Sequence, residues 1–253
     1  MLKRLPLGFV LLLAASAWAQ NVISAHSGVI QWVEGTVVKD GQPVHLKLAE
    51  IQDVKNDQTL AAEEGRAEVL LTPGVFLRIK ENSSFRMVSN KRSDTRIEVL
   101  SGTALFEVGE LLQDNAITVL SHGTEIALSK KGLYRIDSDP ARLRVFDGEA
   151  RVTASSGDPL VARKGREVIL GATLEASNFD TKETDEFYRW SSRRDQYVTQ
   201  ANIASATTAR DLGYGGLLGN GYAYNGTGAG MAMGSWAWNP WFGMFTYLSL
   251  IHI

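Results

Sequence analysis

Cysteine is absent from all 253 residues, and histidine occurs only four times. The first absence excludes a disulfide framework and any thiolate nucleophile or metal ligand, so burial alone must stabilise the fold. The second leaves His26, His45, His122 and His252 isolated, with no i, i+4 pair of the kind a helix offers a metal. His122 stands beside Gly123 in a turn, where a solvent-facing side chain is the ordinary reading. Parts for a Ser-His-Asp or Cys-His apparatus are therefore missing, and no Gly-x-Ser-x-Gly elbow occurs. No Gly-x-Gly-x-x-Gly opens a helix after a strand and no Walker pattern is found, so neither a cofactor nor a metal is expected. Charge of one sign is lacking too: 26 basic residues face 28 acidic ones, which gives no electrostatic footprint for nucleic acid.

Long apolar runs are also lacking, except near the start. Lys3 and Arg4 form a basic opening, Leu5 to Ala15 an apolar stretch, and Ala17-Trp18-Ala19 a small-residue cleavage pattern. The stretch falls short of the ~20 apolar residues of a spanning helix. The expectation is a signal peptide over 1–19 and an exported chain, periplasmic or otherwise associated with the cell envelope; retention as an uncleaved anchor is the alternative. Loss of Lys3 and Arg4 takes the formal charge from −2 to −4. The region 22–174 is then long enough for one folded domain, since ~150 residues bury roughly two-thirds of their unfolded surface.

What is present is glycine at repeated corners. Val99-Leu100-Ser101-Gly102-Thr103-Ala104-Leu105-Phe106 recurs as Val145-Phe146-Asp147-Gly148-Glu149-Ala150-Arg151-Val152, with a fainter copy at Val33-Glu34-Gly35-Thr36-Val37-Val38. Gly35, Gly102 and Gly148 are the structural turn glycines of this reading, because glycine accepts positive φ where one strand must end and another begin. Short strands punctuated by Asp40-Gly41, Pro73-Gly74 and Gly157-Asp158-Pro159 run from Val29 to Leu170. They include Val29–Val33, Thr36–Lys39, Val44–Leu48, Ala67–Leu71, Val75–Lys80 and Glu167–Leu170, with no helical period between them, which argues for an all-β domain.

Near Phe179 the period changes. Asp180-Thr181 is placed to cap a helix over 179–207, and Phe187, Trp190, Tyr197, Ala201 and Ala204 make its apolar stripe. The stripe is read as packing on the β-domain or on a neighbouring subunit. Residues 208–247 form a Gly- and aromatic-rich tail, whose stretch from Gly213 to Gly234 holds too much glycine to be ordered without a partner. Trp236, Trp238, Trp241 and Phe242 are its candidate partner contacts; collapse onto the parent domain and docking to another envelope component are both open. Leu248-Ser249-Leu250-Ile251-His252-Ile253 is what CTG-TCT-CTT-ATA-CAC-ATC encodes, the mosaic end of a transposase-based sequencing library. We expect 248–253 to be adapter sequence and the natural chain to end differently after Tyr247.

Paired carboxylates remain for glycoside chemistry, which needs only two. Asp147 and Glu149 flank Gly148, and Glu107 and Glu110 lie near the other repeat. Carboxylates around a tight turn usually face solvent.

Leu60 to Leu170 resembles the FecR-like domain family of bacterial cell envelopes. The resemblance rests on Gly65-Arg66-Ala67-Glu68-Val69-Leu70-Leu71, Val75-Phe76-Leu77-Arg78-Ile79 and Glu98-Val99-Leu100-Ser101-Gly102-Thr103-Ala104-Leu105-Phe106-Glu107-Val108. Gly132-Leu133-Tyr134-Arg135-Ile136, the Val145 to Val152 repeat and Lys164-Gly165-Arg166-Glu167-Val168 complete it. It implies an all-β, stacked strand-turn-strand β-roll or sandwich of FecR-like type, followed here by one α-helix and a disordered tail. It carries no catalytic residues, so a non-enzymatic protein that binds a protein or envelope partner is expected. The best-known family members sense an outer-membrane transporter and relay its state to a sigma factor. They carry a cytoplasmic segment and a membrane span where this chain has its signal-like start. Sigma-factor regulation and glycan binding or cleavage stand as alternatives.

Overall fold

The computed structural model describes residues 27–47, 50–109, 111, 115–155, 158–211, 236–239 and 242–247. The expected leader over 1–19, the stretch 212–235, Trp241 and residues 248–253 lie outside the described residues.

Two long strands open the fold. β1 (Val29–Lys39) pairs antiparallel with β3 (Thr59–Thr72), and β2 (Gln42–Pro43) pairs with the end of β1. Then follow β4 (Val75–Ile79), β5 (Ser83–Lys91), β6 (Asp94–Ser101), β7 (Thr103–Val108), β8 (Ile117–Ser121) and β9 (Thr124–Leu128). The series continues with β10 (Gly132–Ser138), β11 (Ala141–Asp147), β12 (Glu149–Thr153), β13 (Leu160–Arg163), β14 (Arg166–Ile169) and β15 (Glu175–Asn178). All are hydrogen-bonded into one sheet, in which the run β13-β12-β9-β8-β6-β5 continues through β3 into the run β4-β7-β10-β11-β14-β15.

The two runs fold face to face. β5 touches β7, β6 touches β10, and β13 touches β14, although none of these pairs is hydrogen-bonded. Phe85, Met87, Ile97, Val119 and Ile126 of the first layer meet Leu77, Ile79, Phe106, Tyr134, Ile136 and Val145 of the second. Each such side chain contributes about 1.5–3 kcal/mol on burial.

The chain moves between layers at the corners that the repeats mark. Gly102 separates β6, in the first layer, from β7 in the second. Gly148 separates β11 from β12 in the opposite sense. It has φ +95°, and a Cβ there would lie 2.2 Å from the Tyr134 hydroxyl, which donates to Lys130 O at 2.5 Å and accepts from Glu149 N at 3.1 Å. Gly35 departs from the expectation. It lies inside continuous β1, opposite Gly65 of β3, with φ +74° and +87°. A Cβ on either would meet the partner strand's backbone oxygen at 2.5 Å or 2.0 Å, so the paired ribbon bends here as a unit.

Three further boundaries differ from the sequence reading. Thr36–Lys39 and Val29–Val33 are one strand, because pairing with β3 continues through the bend, with register shifts between Ile30 and Trp32 and between Thr36 and Val37. Ala67–Leu71 is only the second half of β3, whose first half is stitched to β1 and β5. Residues 44–47 form no strand; Val44 N bonds to Val37 O, and the chain then leaves the ladder.

The helix, α1 (Glu186–Asp211), starts later and ends later than expected. Asp185, not Asp180, caps it: its Oδ1 accepts from Tyr188 N at 2.8 Å, three residues on. Asp180 instead accepts from Lys182 N at 2.9 Å, closing a local turn. α1 lies on the outer face of the second layer. Phe187 and Trp190 pack with Leu105, and Val198 and Ala201 with Val29, Leu70 and Phe76. Finally β16 (Trp236–Asn239) and β17 (Met244–Tyr247) pair antiparallel, and β17 contacts both α1 and β1.

Candidate binding face

The interface between α1 and the sheet contains charges of which the sequence reading had singled out only Glu107, as one of a carboxylate pair. Glu68 and Arg78 face each other across β3 and β4, and neither side chain is exposed. Glu68 Oε2 accepts from Arg78 Nε at 2.7 Å, and its Oε1 accepts from Arg194 Nη2 of α1 at 2.7 Å. Arg78 Nη1 donates to Ser191 Oγ of α1 at 2.7 Å and to Glu107 of β7. Burial by itself would raise the Glu68 carboxyl, but Arg78 and Arg194 outweigh it and hold it below the usual carboxylate range. Next to this group, Asp137 gathers Arg135, Arg142, Arg144 and the Thr103 hydroxyl at 2.8–3.0 Å. Arg135 Nη1 then reaches Asp185, so the helix cap is itself tied to the sheet at 2.5 Å.

One signal for this face was present in the sequence. Val69-Leu70-Leu71 and Val75-Phe76-Leu77 are apolar on both strand faces, which a sheet with one solvated face would not need.

Where α1 emerges at the surface, aromatic groups collect. The Arg194 guanidinium lies 4.6 Å from the Trp32 ring centroid and 5.6 Å from that of Tyr197. Trp32 is 38% exposed and Tyr197 39%. Of the expected partner contacts, Phe242 joins this group. Its ring stands 5.5 Å from Tyr197, edge to face, and its carbonyl accepts from the Tyr197 hydroxyl at 3.3 Å. Met244, buried at 1% exposure, packs beneath, and Thr246 bonds Ser205 of α1 at 3.0 Å. Trp236 and Trp238 are backbone partners of Tyr247 and Phe245. A cleft of about 380 Å3 adjoins the group, lined by Gln31, Trp32, Val44, His45 and Gly243. Gln31 Nε2 points to Met244 Sδ at 3.5 Å, and its Oε1 has no partner among the described residues.

The remaining candidates stay apart. Asp147 pairs with Lys164 at 3.3 Å in solvent. Glu149 accepts from Lys130 at 3.3 Å and from Arg163 at 2.9 Å, and these two cations, Lys130 foremost, hold its carboxyl below the usual range. His122 occupies the β8–β9 turn with φ +50°. Among the described residues, no group of three metal-ligating side chains forms, and no helix is long and apolar enough to cross a membrane.

Two crystal structures of a "putative anti-sigma factor" from Parabacteroides distasonis are similar to this chain at 15% and 14% identity. In each case the TM-score is 0.43, and the match covers 49% of this chain and 61% of the other. The chain thus spans less than two-thirds of the solved chains it resembles. No curated protein matches it. The family model described as "FecR protein" matches residues 57–151, from the start of β3 to β12. This segment, which resembles the FecR family model, supplies strands to both layers and the sheet half of the helix-covered face.

Proposed function

We propose that this chain is an exported, non-enzymatic component of the bacterial cell envelope that holds a protein partner on the face where β1, α1 and β17 meet. The observation that carries this reading is the Trp32–Arg194–Tyr197 stack. Tryptophan, tyrosine and arginine dominate the energetics of protein interfaces, and here the half-exposed Trp32 and Tyr197 rings are held in place by the buried Arg194 guanidinium between them. Rigid rings lose little conformational freedom on binding, so their contact area converts efficiently into affinity. Export is supported by the basic, apolar and small-residue order of the first 19 residues.

A photo-crosslinking residue at position 32 or 197, in cells, tests this face against Glu98 on the outer surface of the first layer. The expected result is one discrete adduct from 32 and 197 and none from 98, with the protein recovered beginning at Gln20. Equal labelling from all three positions, or none, overturns it. Regulation of a sigma factor is the second reading, favoured by the FecR match itself. It predicts a protein that keeps Met1 in the membrane fraction and an adduct with an outer-membrane transporter.

A further inference from the structure

On one side, β1 is accompanied by β3 from Val29 to Lys39. On its other side the chain meets β1 only at the two ends. Val29 bridges to Asp53, and Ile30 N donates to Gln52 O at 2.8 Å. At the far end β2 pairs with Val38 and Lys39, and Val44 N donates to Val37 O at 2.8 Å. Between these contacts, from Gln31 to Thr36, no strand lies against this edge among the described residues. The cleft of about 380 Å3 belongs to that gap: it is lined by Trp32, Val33 and Gly35 of β1 and by residues 44–47 of the segment that leaves it.

We propose that this gap is a strand-addition site: an extended segment of a protein partner enters the cleft and hydrogen-bonds to β1 between the two contacts that the chain itself makes. Main chain is what an unpaired edge recognises, since its N–H and C=O groups want the partners that a neighbouring strand supplies. In an antiparallel ladder both groups of one residue face the same side, and alternate residues share a side. Val37 turns its carbonyl to Val44, so Gly35 and Val33, at steps of two, face the gap as well. Ile30, whose N–H faces the same side, leads to Val33 once the extra residue of the shift before Trp32 is passed. Both ends therefore agree. Gln31, 4% exposed, lines the cleft with a further acceptor, the Oε1 that has no partner among the described residues. The shift at Gln31 and the bend at Gly35 and Gly65 leave no long flat template for self-association. At ~3.3 Å per residue the gap takes a segment of about four to six residues. Trp32, exposed beside the cleft, is placed to receive an apolar side chain of that segment. The site names how the partner is held, and so it rests on the reading of this face as a partner surface.

Photo-crosslinking from position 197 in cells, repeated in two variants of the full chain, tests the site. Val33→Pro removes the N–H that faces the gap and leaves the bonds between β1 and β3 in place; Val33→Ala shortens the side chain and keeps the N–H. The adduct is expected to fall by about tenfold or more in Val33→Pro and to stay within about twofold in Val33→Ala. An undiminished adduct in Val33→Pro, or an equal loss in both variants, overturns strand addition and leaves the partner face standing. No adduct from 197 in the unsubstituted chain overturns both. If Val33→Pro resists proteolysis less than the unsubstituted chain and so does not fold, crosslinking residues at 32 and 46 take its place. Both should then mark one stretch of the partner of about six residues or fewer. Marks on separate stretches, or none from 46, overturn the site.

Discussion

Arg78 exposes none of its side chain, yet it carries a full charge and contacts Glu68, Glu107 and Ser191. A buried ion pair of this kind adds little net stability over apolar packing, because desolvation consumes most of the attraction. Removing one member is different, since it strands the other charges. Arg78→Met is expected to cost about 3–5 kcal/mol in chemical denaturation. A loss below about 1 kcal/mol would mean that water reaches Glu68 and that this interface is wet. Residue identity alone did not disclose this role: in an isolated strand, Glu68 and Arg78 alternate with apolar neighbours as a solvent-facing row does. Tyr134 illustrates the same limit, since only its placement under Gly148 reveals that its hydroxyl pins a corner.

Elements were more legible than residues, and their boundaries less so. The alternating strands from Val75 to Val152 could be read because each keeps one face on the sandwich core. The first half of β3 could not: Ala61-Ala62-Glu63-Glu64 has no β-branched residue and is held by neighbours on both sides, β1 and β5. The helix start was misplaced because Asp180 and Asp185 are both chemically able to cap, and tertiary contact decides between them. Asp185 is chosen because Arg135 waits beside it on β10. Asp185→Ala is therefore expected to lower stability by about 1–2 kcal/mol, and Asp180→Ala by less than about 0.5. Thermal unfolding of the two variants side by side checks the ranking; a larger loss at Asp180 would reverse it.

At the scale of the whole molecule, the sandwich and the helix depend on each other. The outer face of the second layer presents Leu70, Phe76 and Leu105, all under α1, together with the fully buried Glu68 and Arg78. A chain ending after Asn178 would keep every strand of the large sheet but would uncover this surface. Patches of this kind drive association. Size-exclusion chromatography should find the shortened chain eluting early, as aggregates or oligomers that the chain through Tyr247 does not form; a well-behaved shortened monomer would show that α1 is dispensable. Phe242 could be read as a candidate contact because an aromatic cluster in water must settle somewhere, and its ring settles against Tyr197. The grouping of Trp32 with Tyr197 could not be found from spacing, since those rings converge from segments far apart in the chain.

The alternation of strands between layers has a consequence for how such a domain changes length. Gly102 hands the chain from the first layer to the second, and Gly148 hands it back, so successive excursions widen both walls together. An inserted hairpin that widened one wall alone would leave its inward side chains facing water. Growth or shortening is tolerated only in balanced steps, at the rim where β13 and β15 end their respective walls.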